Sequence, residues 1–213
     1  MKSVVGTLLN FRGAWQALEP RMHKEPHHKP PVHPVLYIKP VNTWRGPGDA
    51  IVLPPDVPEV EAGATVGIVM GRAASRLNVR NALAHVAGYA IVNDVTVPHE
   101  ALLRPPMRQK CRDSFCPIGA VVPASRIADP DALTLRTYVN GELRQTNTTA
   151  NLMRNTATLL ADVTEFMSFE PGDILLVGVP ENSPRAKPGD TIRIEVDGLG
   201  SLQNPVVQEG VSS

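Results

Sequence analysis

An α+β fold dominated by short β-strands is predicted by this sequence, and three observations carry the prediction. Three Pro-Gly-Asp triplets, at 47–49, 171–173 and 188–190, each precede a run rich in β-branched or other strand-forming residues. Proline followed by glycine sets a tight turn that launches such a strand. The 21 prolines stand at segment ends rather than in one tract, as many short strands joined by fixed turns require. Asn140-Gly141, flanked by 133–139 and 142–146, is the strongest hairpin signal in the chain.

The elements follow in order. Residues 3–10 read as a first strand, and the polar stretch around Trp15 as a short helix. Residues 19–34 carry Pro20, Pro26, Pro30, Pro31 and Pro34 together with His23, His27, His28 and His33. Prolines at that density prevent a regular face that would aim two imidazoles at one metal ion, so a solvated loop is expected. The run 35–40 is a buried strand closed by Lys39-Pro40, and 63–70 is another, ending at Gly71. Residues 78–86 suit a helix capped by Asn78 with Ala82, Leu83 and Val86 on one face. Residues 88–94 form a strand that delivers Asp94 to its end, and 150–168 is the longest helix candidate. Residues 1–34 are expected as a strand and Pro/His-rich segment packed on a main domain at 35–213.

With 213 residues, 42% of them hydrophobic, one sizeable core is within reach. Lys+Arg and Asp+Glu balance at 21 each, which argues against a nucleic-acid surface. No apolar run approaches the ~18 residues of a membrane span, so a cytoplasmic protein is expected. Cys111 and Cys116 lack metal-knuckle or redox spacing and read as reduced thiols.

Three patches carry chemistry-bearing residues. Asp94 ends an apolar strand, where a carboxylate serves either as a metal ligand or as a turn residue. Residues 104–119 hold Arg104, Arg108, Lys110 and Arg112 between rigid prolines. Such a run is either a solvated face or a grip on carboxylates, because guanidinium binds carboxylate through two parallel hydrogen bonds. Lys39 closes an apolar strand, for which snorkelling of its ammonium to water is the plain explanation.

The ordered series IKP (38–40), GPGDAIVLP (46–54), GYAIVNDV (88–95), KCRDSFCPIG (110–119), EPGDILLVGVP (170–180) and KPGDTIRIEVDGLGSLQNPV (187–206) resembles the fumarylacetoacetate hydrolase family. It is most similar to the two homologous halves of the homoprotocatechuate (4-hydroxyphenylacetate) pathway isomerase/decarboxylase, and a single copy looks like the first half or first subunit. The resemblance implies mixed, mainly antiparallel sheets rolled around a central site. It also implies Mg²⁺, Mn²⁺ or Ca²⁺ held by a Glu-x-Glu pair and by the aspartate matching Asp94. Lys110 matches the family's active-site lysine and Lys39 its strand-end lysine.

Three departures bear on function. Gly63 and Thr65 stand where the Glu-x-Glu pair is expected, and hard divalent cations need several oxygen ligands. Weak or absent metal binding is therefore expected, since recruiting Glu59 and Glu61 would mean sliding the strand. Val177-Gly178-Val179-Pro180 replaces a TGTP motif, and Asn10-Phe11-Arg12 lacks the lid histidine that the family carries next.

The implied reaction is decarboxylation of 5-oxopent-3-ene-1,2,5-tricarboxylate and isomerisation of 2-hydroxyhepta-2,4-diene-1,7-dioate. In that setting Lys110 and Lys39 would be catalytic, Arg104, Arg108 and Arg112 would clamp substrate carboxylates, and Asp94 would be a remnant ligand. The expected partner is a homologous metal-bearing subunit or a second copy, and the ligand a dicarboxylate or tricarboxylate 2-oxo acid. A non-catalytic structural partner is the rival reading. A stand-alone oxaloacetate decarboxylase or acylpyruvate hydrolase ranks last, because those enzymes depend on the motifs missing here.

Overall fold

The structure, a computed structural model of the chain, describes residues 3–26, 28–100 and 106–210. Fifteen strands among them run as β1 (Val4–Leu8), β2 (Val35–Ile38), β3 (Trp44–Arg45), β4 (Ile51–Leu53), β5 (Val60–Glu61), β6 (Ala64–Met70), β7 (Val86–Asn93), β8 (Cys116–Pro117), β9 (Val122–Pro123), β10 (Thr134–Val139), β11 (Glu142–Thr148), β12 (Ile174–Leu176), β13 (Arg185–Ala186), β14 (Thr191–Val196) and β15 (Gly200–Gln208). Helices are α1 (Arg12–Met22), α2 (Met107–Lys110) and α3 (Thr156–Thr164). Two larger sheets result, ordered β2-β1-β12-β6-β7-β9 and β11-β10-β14-β15-β4. All their pairings are antiparallel except β1 with β12 and β15 with β4.

The triplets work as turns. Gly48, Gly172 and Gly189 adopt φ of 82°, 88° and 95°, the region that glycine enters without steric cost. In each turn the aspartate carboxylate accepts the amide of the residue three back: Asp49 from Gly46, Asp173 from Glu170, Asp190 from Lys187, at 2.8–2.9 Å. The strands β4, β12 and β14 follow. Asn140 and Gly141 likewise take positive φ and join β10 to β11.

Central strands β6 and β7 are apolar on both faces, and alternate residues feed different layers. Val66, Ile68 and Ile91 join the main core with Leu135, Ile194 and Leu202 of the second sheet. Val69, Ala90 and Val92 pack with Val4, Ile174 and Leu176 on the opposite side. Strands buried on both faces read as continuous apolar runs, which explains the GATVGIVM and GYAIV segments.

Strand β1 lies inside its sheet between β2 and β12. Three expectations change. Residues 78–86 hold only a 3₁₀ turn, Ala82–His85, with Leu83 exposed. The side chain of Asn78 accepts from Arg80 and Asn81 locally, and β7 already begins at Val86. The 150–168 segment yields the nine residues of α3, because Asn155 caps the helix by accepting from the Thr158 amide. The eleven-residue α1 is longer and carries Pro20 in its last turns, where a loop was expected.

Candidate active site

Asp94 follows β7 directly and is fully buried. Its carboxylate is surrounded by donors. Lys39 Nζ lies 2.7 Å from Oδ1, Lys110 Nζ donates to Oδ2 at 2.7 Å, and the Tyr37 hydroxyl donates to Oδ2. Tyr37 and Lys39 are two positions apart at the end of β2, so strand alternation turns both toward Asp94. Burial by itself would raise the Asp94 pKa, but Lys110 and Lys39 overcome it and hold the carboxyl at about 2. Tyr37 is pushed well above its ordinary value by burial and by the Asp94 charge.

The two lysines play different parts. Lys39 is sealed off, and its ammonium also donates to the carbonyls of Val95, Lys110 and Phe115 at 2.7–2.9 Å. It binds the 110–115 segment to the strand end, so the snorkelling explanation fails. Lys110 closes α2 and donates to Thr96 Oγ1 at 2.7 Å, 4.6 Å from the Tyr37 ring centre. Burial lowers its pKa while Asp94 opposes the shift. Among the described residues two of its three N–H donors are engaged, and its side chain lines a polar cleft of about 570 Å³.

That cleft is walled by Glu61, Thr96, His99, Glu181 and Arg185. Its loop wall is fixed by Asn10, whose amide donates to the Val177 carbonyl at 2.8 Å, and by Gln145, which donates to the Glu181 carbonyl at 2.6 Å. A larger apolar cleft of about 980 Å³ adjoins it, between α1 and the 29–35 segment, and shares Leu8, His99 and Val179 with it.

The arginines expected as substrate clamps go elsewhere. Arg112 forms a two-pronged pair with Asp56, both bonds 3.0 Å, and Arg108 reaches the same carboxylate at 3.6 Å with 81% of its side chain exposed. Neither arginine lines the cleft onto which Lys110 opens. Arg104 lies outside the described residues. Tyr37, Thr96, Glu181 and Arg185 were not singled out from the sequence, and Glu61 was weighed there only as a metal ligand and set aside. Tyr37 alone left a signal there, being two residues before Lys39 on one strand.

The residues present do not suit a divalent metal. Thr65 and Gly63 offer no carboxylate, and a side chain at 63 would begin 2.3 Å from the Asp94 carbonyl oxygen. Asp94 is already neutralised by two ammonium groups. Among the described residues no group of three or more His, Cys, Asp or Glu side chains is arranged to hold a metal, and Glu59 pairs with Arg185. Nor is any described helix long and apolar enough to cross a membrane.

The family profile described as fumarylacetoacetate (FAA) hydrolase C-terminal matches residues 3–207. A 4-hydroxyphenylacetate degradation bifunctional isomerase/decarboxylase from Salmonella dublin is 40% identical over 207 residues, covering 97% of this chain and 47% of that protein. The chain thus spans about half the length of such relatives. The crystal structure of 5-carboxymethyl-2-hydroxymuconate delta-isomerase from Mycobacterium smegmatis superposes with a TM-score of 0.82 at 32% identity, over 99% of this chain and 80% of that one. Maleylpyruvate hydrolase from Sphingobium, crystallised with manganese(II) and pyruvate, has a TM-score of 0.80 at 27% identity, over 97% of this chain and 70% of that one. The chain belongs to the fumarylacetoacetate hydrolase family.

Proposed function

We propose that this chain works in 4-hydroxyphenylacetate (homoprotocatechuate) breakdown as the metal-poor partner of a homologous metal-bearing subunit. In this reading it acts in decarboxylation of 5-oxopent-3-ene-1,2,5-tricarboxylate and isomerisation of 2-hydroxyhepta-2,4-diene-1,7-dioate. One observation carries the reading: the Lys110 ammonium lines a polar cleft while its counter-charge, Asp94, lies beneath it, bonded also to Lys39 and Tyr37. A cation fixed in that way stabilises an enolate oxygen formed beside a 2-oxo acid, without reorganising as the charge develops. Thr96 and Tyr37 hold the ammonium in place, and the Asp94 charge opposes the lowering of its pKa by burial.

The test is to assay CO₂ release and the ultraviolet change of isomerisation with the chain alone and mixed with a metal-bearing homologue, using wild type and Lys110→Met. A loss of about 100-fold on removing the ammonium is expected, the usual scale for one oxyanion-stabilising group. Wild-type rates in Lys110→Met would overturn the catalytic reading. The valines at 177 and 179 and the glycine at 63 favour a second reading, a structural partner. It predicts that Lys110→Met raises the homologue's activity as well as wild type does.

A further inference from the structure

We infer that Glu181 is the proton-transferring carboxylate of the polar cleft, working opposite Lys110 in the isomerisation; this rests on the functional reading above. Glu181 stands on the loop after β12 and lines the same cleft as Lys110 and Thr96. Its carboxylate occupies a space that exists only because residue 13 is glycine: a β-carbon there would lie 2.2–2.4 Å from the carboxylate carbon and both oxygens. Oε2 is buried without a hydrogen-bond partner among the described residues. Asp94 is fully buried, ion-paired with two ammonium groups and bonded to the Tyr37 phenol, which commits its carboxylate to those groups.

The backbone under Glu181 is rigidly held. Gln145 Nε2 donates to the carbonyls of Glu181 and Asn182 at 2.6 and 3.1 Å, and Asn182 takes a positive φ of 57°. The carboxylate abuts the first turn of the eleven-residue α1, which has no side-chain cap, and the positive end of a helix favours an anion. A positioned carboxylate that lines one cleft with a fixed ammonium is the arrangement that general-base catalysis needs. Glu61 lines the same cleft and its charge acts on Lys110, so its carboxylate is the rival for this role.

In the proposed step Glu181 removes the hydroxyl proton of the 2-hydroxy-2,4-diene acid. That O–H bond breaks, an O–H bond forms on Glu181, and the negative charge of the resulting dienolate lies beside Lys110. The carboxyl then delivers a proton to C5: a C–H bond forms there, the C4–C5 double bond shifts to C3–C4 and the C2–O bond becomes a carbonyl, which gives the 2-oxo-3-ene acid with no net change in atoms or electrons. In reverse Glu181 takes a C5 proton from the 2-oxo-3-ene acid, and exchange of the carboxyl proton with D₂O before its return places deuterium at C5.

The experiment follows deuterium uptake from D₂O into 2-oxohept-3-ene-1,7-dioate by proton NMR, with the chain and its metal-bearing homologue together. The variants are Glu181→Gln, Glu181→Asp, Gly13→Ala and Glu61→Gln. Glu181→Gln is expected to slow exchange about 100-fold, mainly in kcat, with Glu181→Asp retaining part of the rate. Gly13→Ala displaces only the flexible end of Glu181, so it should slow exchange while the melting temperature holds. Unchanged exchange in Glu181→Gln, or an equal loss in Glu61→Gln, overturns the assignment. Absence of exchange in the wild-type mixture overturns the functional reading and the assignment with it, whereas exchange in wild type that survives Glu181→Gln overturns the assignment alone.

Discussion

Lys39 and Asp94 form a 2.7 Å ion pair in which neither side chain is reached by solvent. Removing one member of a buried pair leaves the other charge uncompensated, at a cost of about 3–5 kcal/mol. Lys39→Met should therefore lose roughly that much in a urea unfolding series, more than Lys110→Met, whose site opens to the cleft. Equal stability of Lys39→Met and wild type would contradict the structural role assigned to Lys39.

Asp94 makes stability depend on acid. Its folded pKa, about 2, lies below the ordinary carboxyl value of 3.8. A depressed carboxyl contributes stability that is present above the unfolded pKa and is lost as pH falls through the folded one. Burial opposes the shift, and Lys110 and Lys39 produce it; Tyr37, Cys111, Cys116 and Glu61 are further titratable groups that act on the cluster. Between pH 4 and pH 2 the wild type should lose about 2 kcal/mol more than Asp94→Asn, as read from unfolding curves at each pH.

Tyr37 is wedged between Asp94 and β1. A β-carbon on Gly6 would lie 2.0–2.4 Å from its ring and hydroxyl. The ring is buried and its hydroxyl is committed to Asp94, so it has nowhere to go. Gly6→Ala should destabilise by about 1–3 kcal/mol through overpacking, and Tyr37→Phe by about 1–3 kcal/mol through the lost donor. Thermal melts of the two variants check both values.

Titration of Mn²⁺ into the purified chain should give no saturable heat, because Asp94 is neutralised and positions 63 and 65 carry no carboxylate. Restoring the pair as Gly63→Glu with Thr65→Glu should lower the melting temperature without creating affinity, since the first β-carbon meets the Asp94 carbonyl at 2.3 Å. Micromolar binding by either protein would refute this account of the site.

Both thiols should be sluggish nucleophiles. Burial pushes the buried Cys116 up to about 12 and also raises the half-buried Cys111. A disulfide-exchange reagent at pH 8 should label Cys111 slowly and Cys116 only at the rate of unfolding, with two thiols released in denaturant. Mass spectrometry of the labelled peptides separates the two.

Much of the fold could be read from local chemistry. Pro-Gly-Asp turns and the Asn-Gly hairpin are properties of a few neighbouring residues, and the apolar runs at 63–70 and 88–93 are those of strands buried on both faces. The placement of Asp94 at a strand end was legible for the same reason. The helices were less so, because Asn78 and Asn155 each had to choose between capping a helix and closing a turn, and packing decided.

Sequence by itself determined the strand-rich architecture and the family, and it singled out Asp94, Lys110 and Lys39 one by one without pairing them. Tertiary structure alone decided what those residues touch. Tyr37 and Asp94 are 57 positions apart, and Gln145 and Glu181 are 36 apart, so no local spacing encodes their contact. Arg108 and Arg112 looked like carboxylate clamps until folding set Asp56 beside them. Burial then settled the chemistry: a carboxylate excluded from water takes the nearest cations, and in this chain those cations are its own lysines.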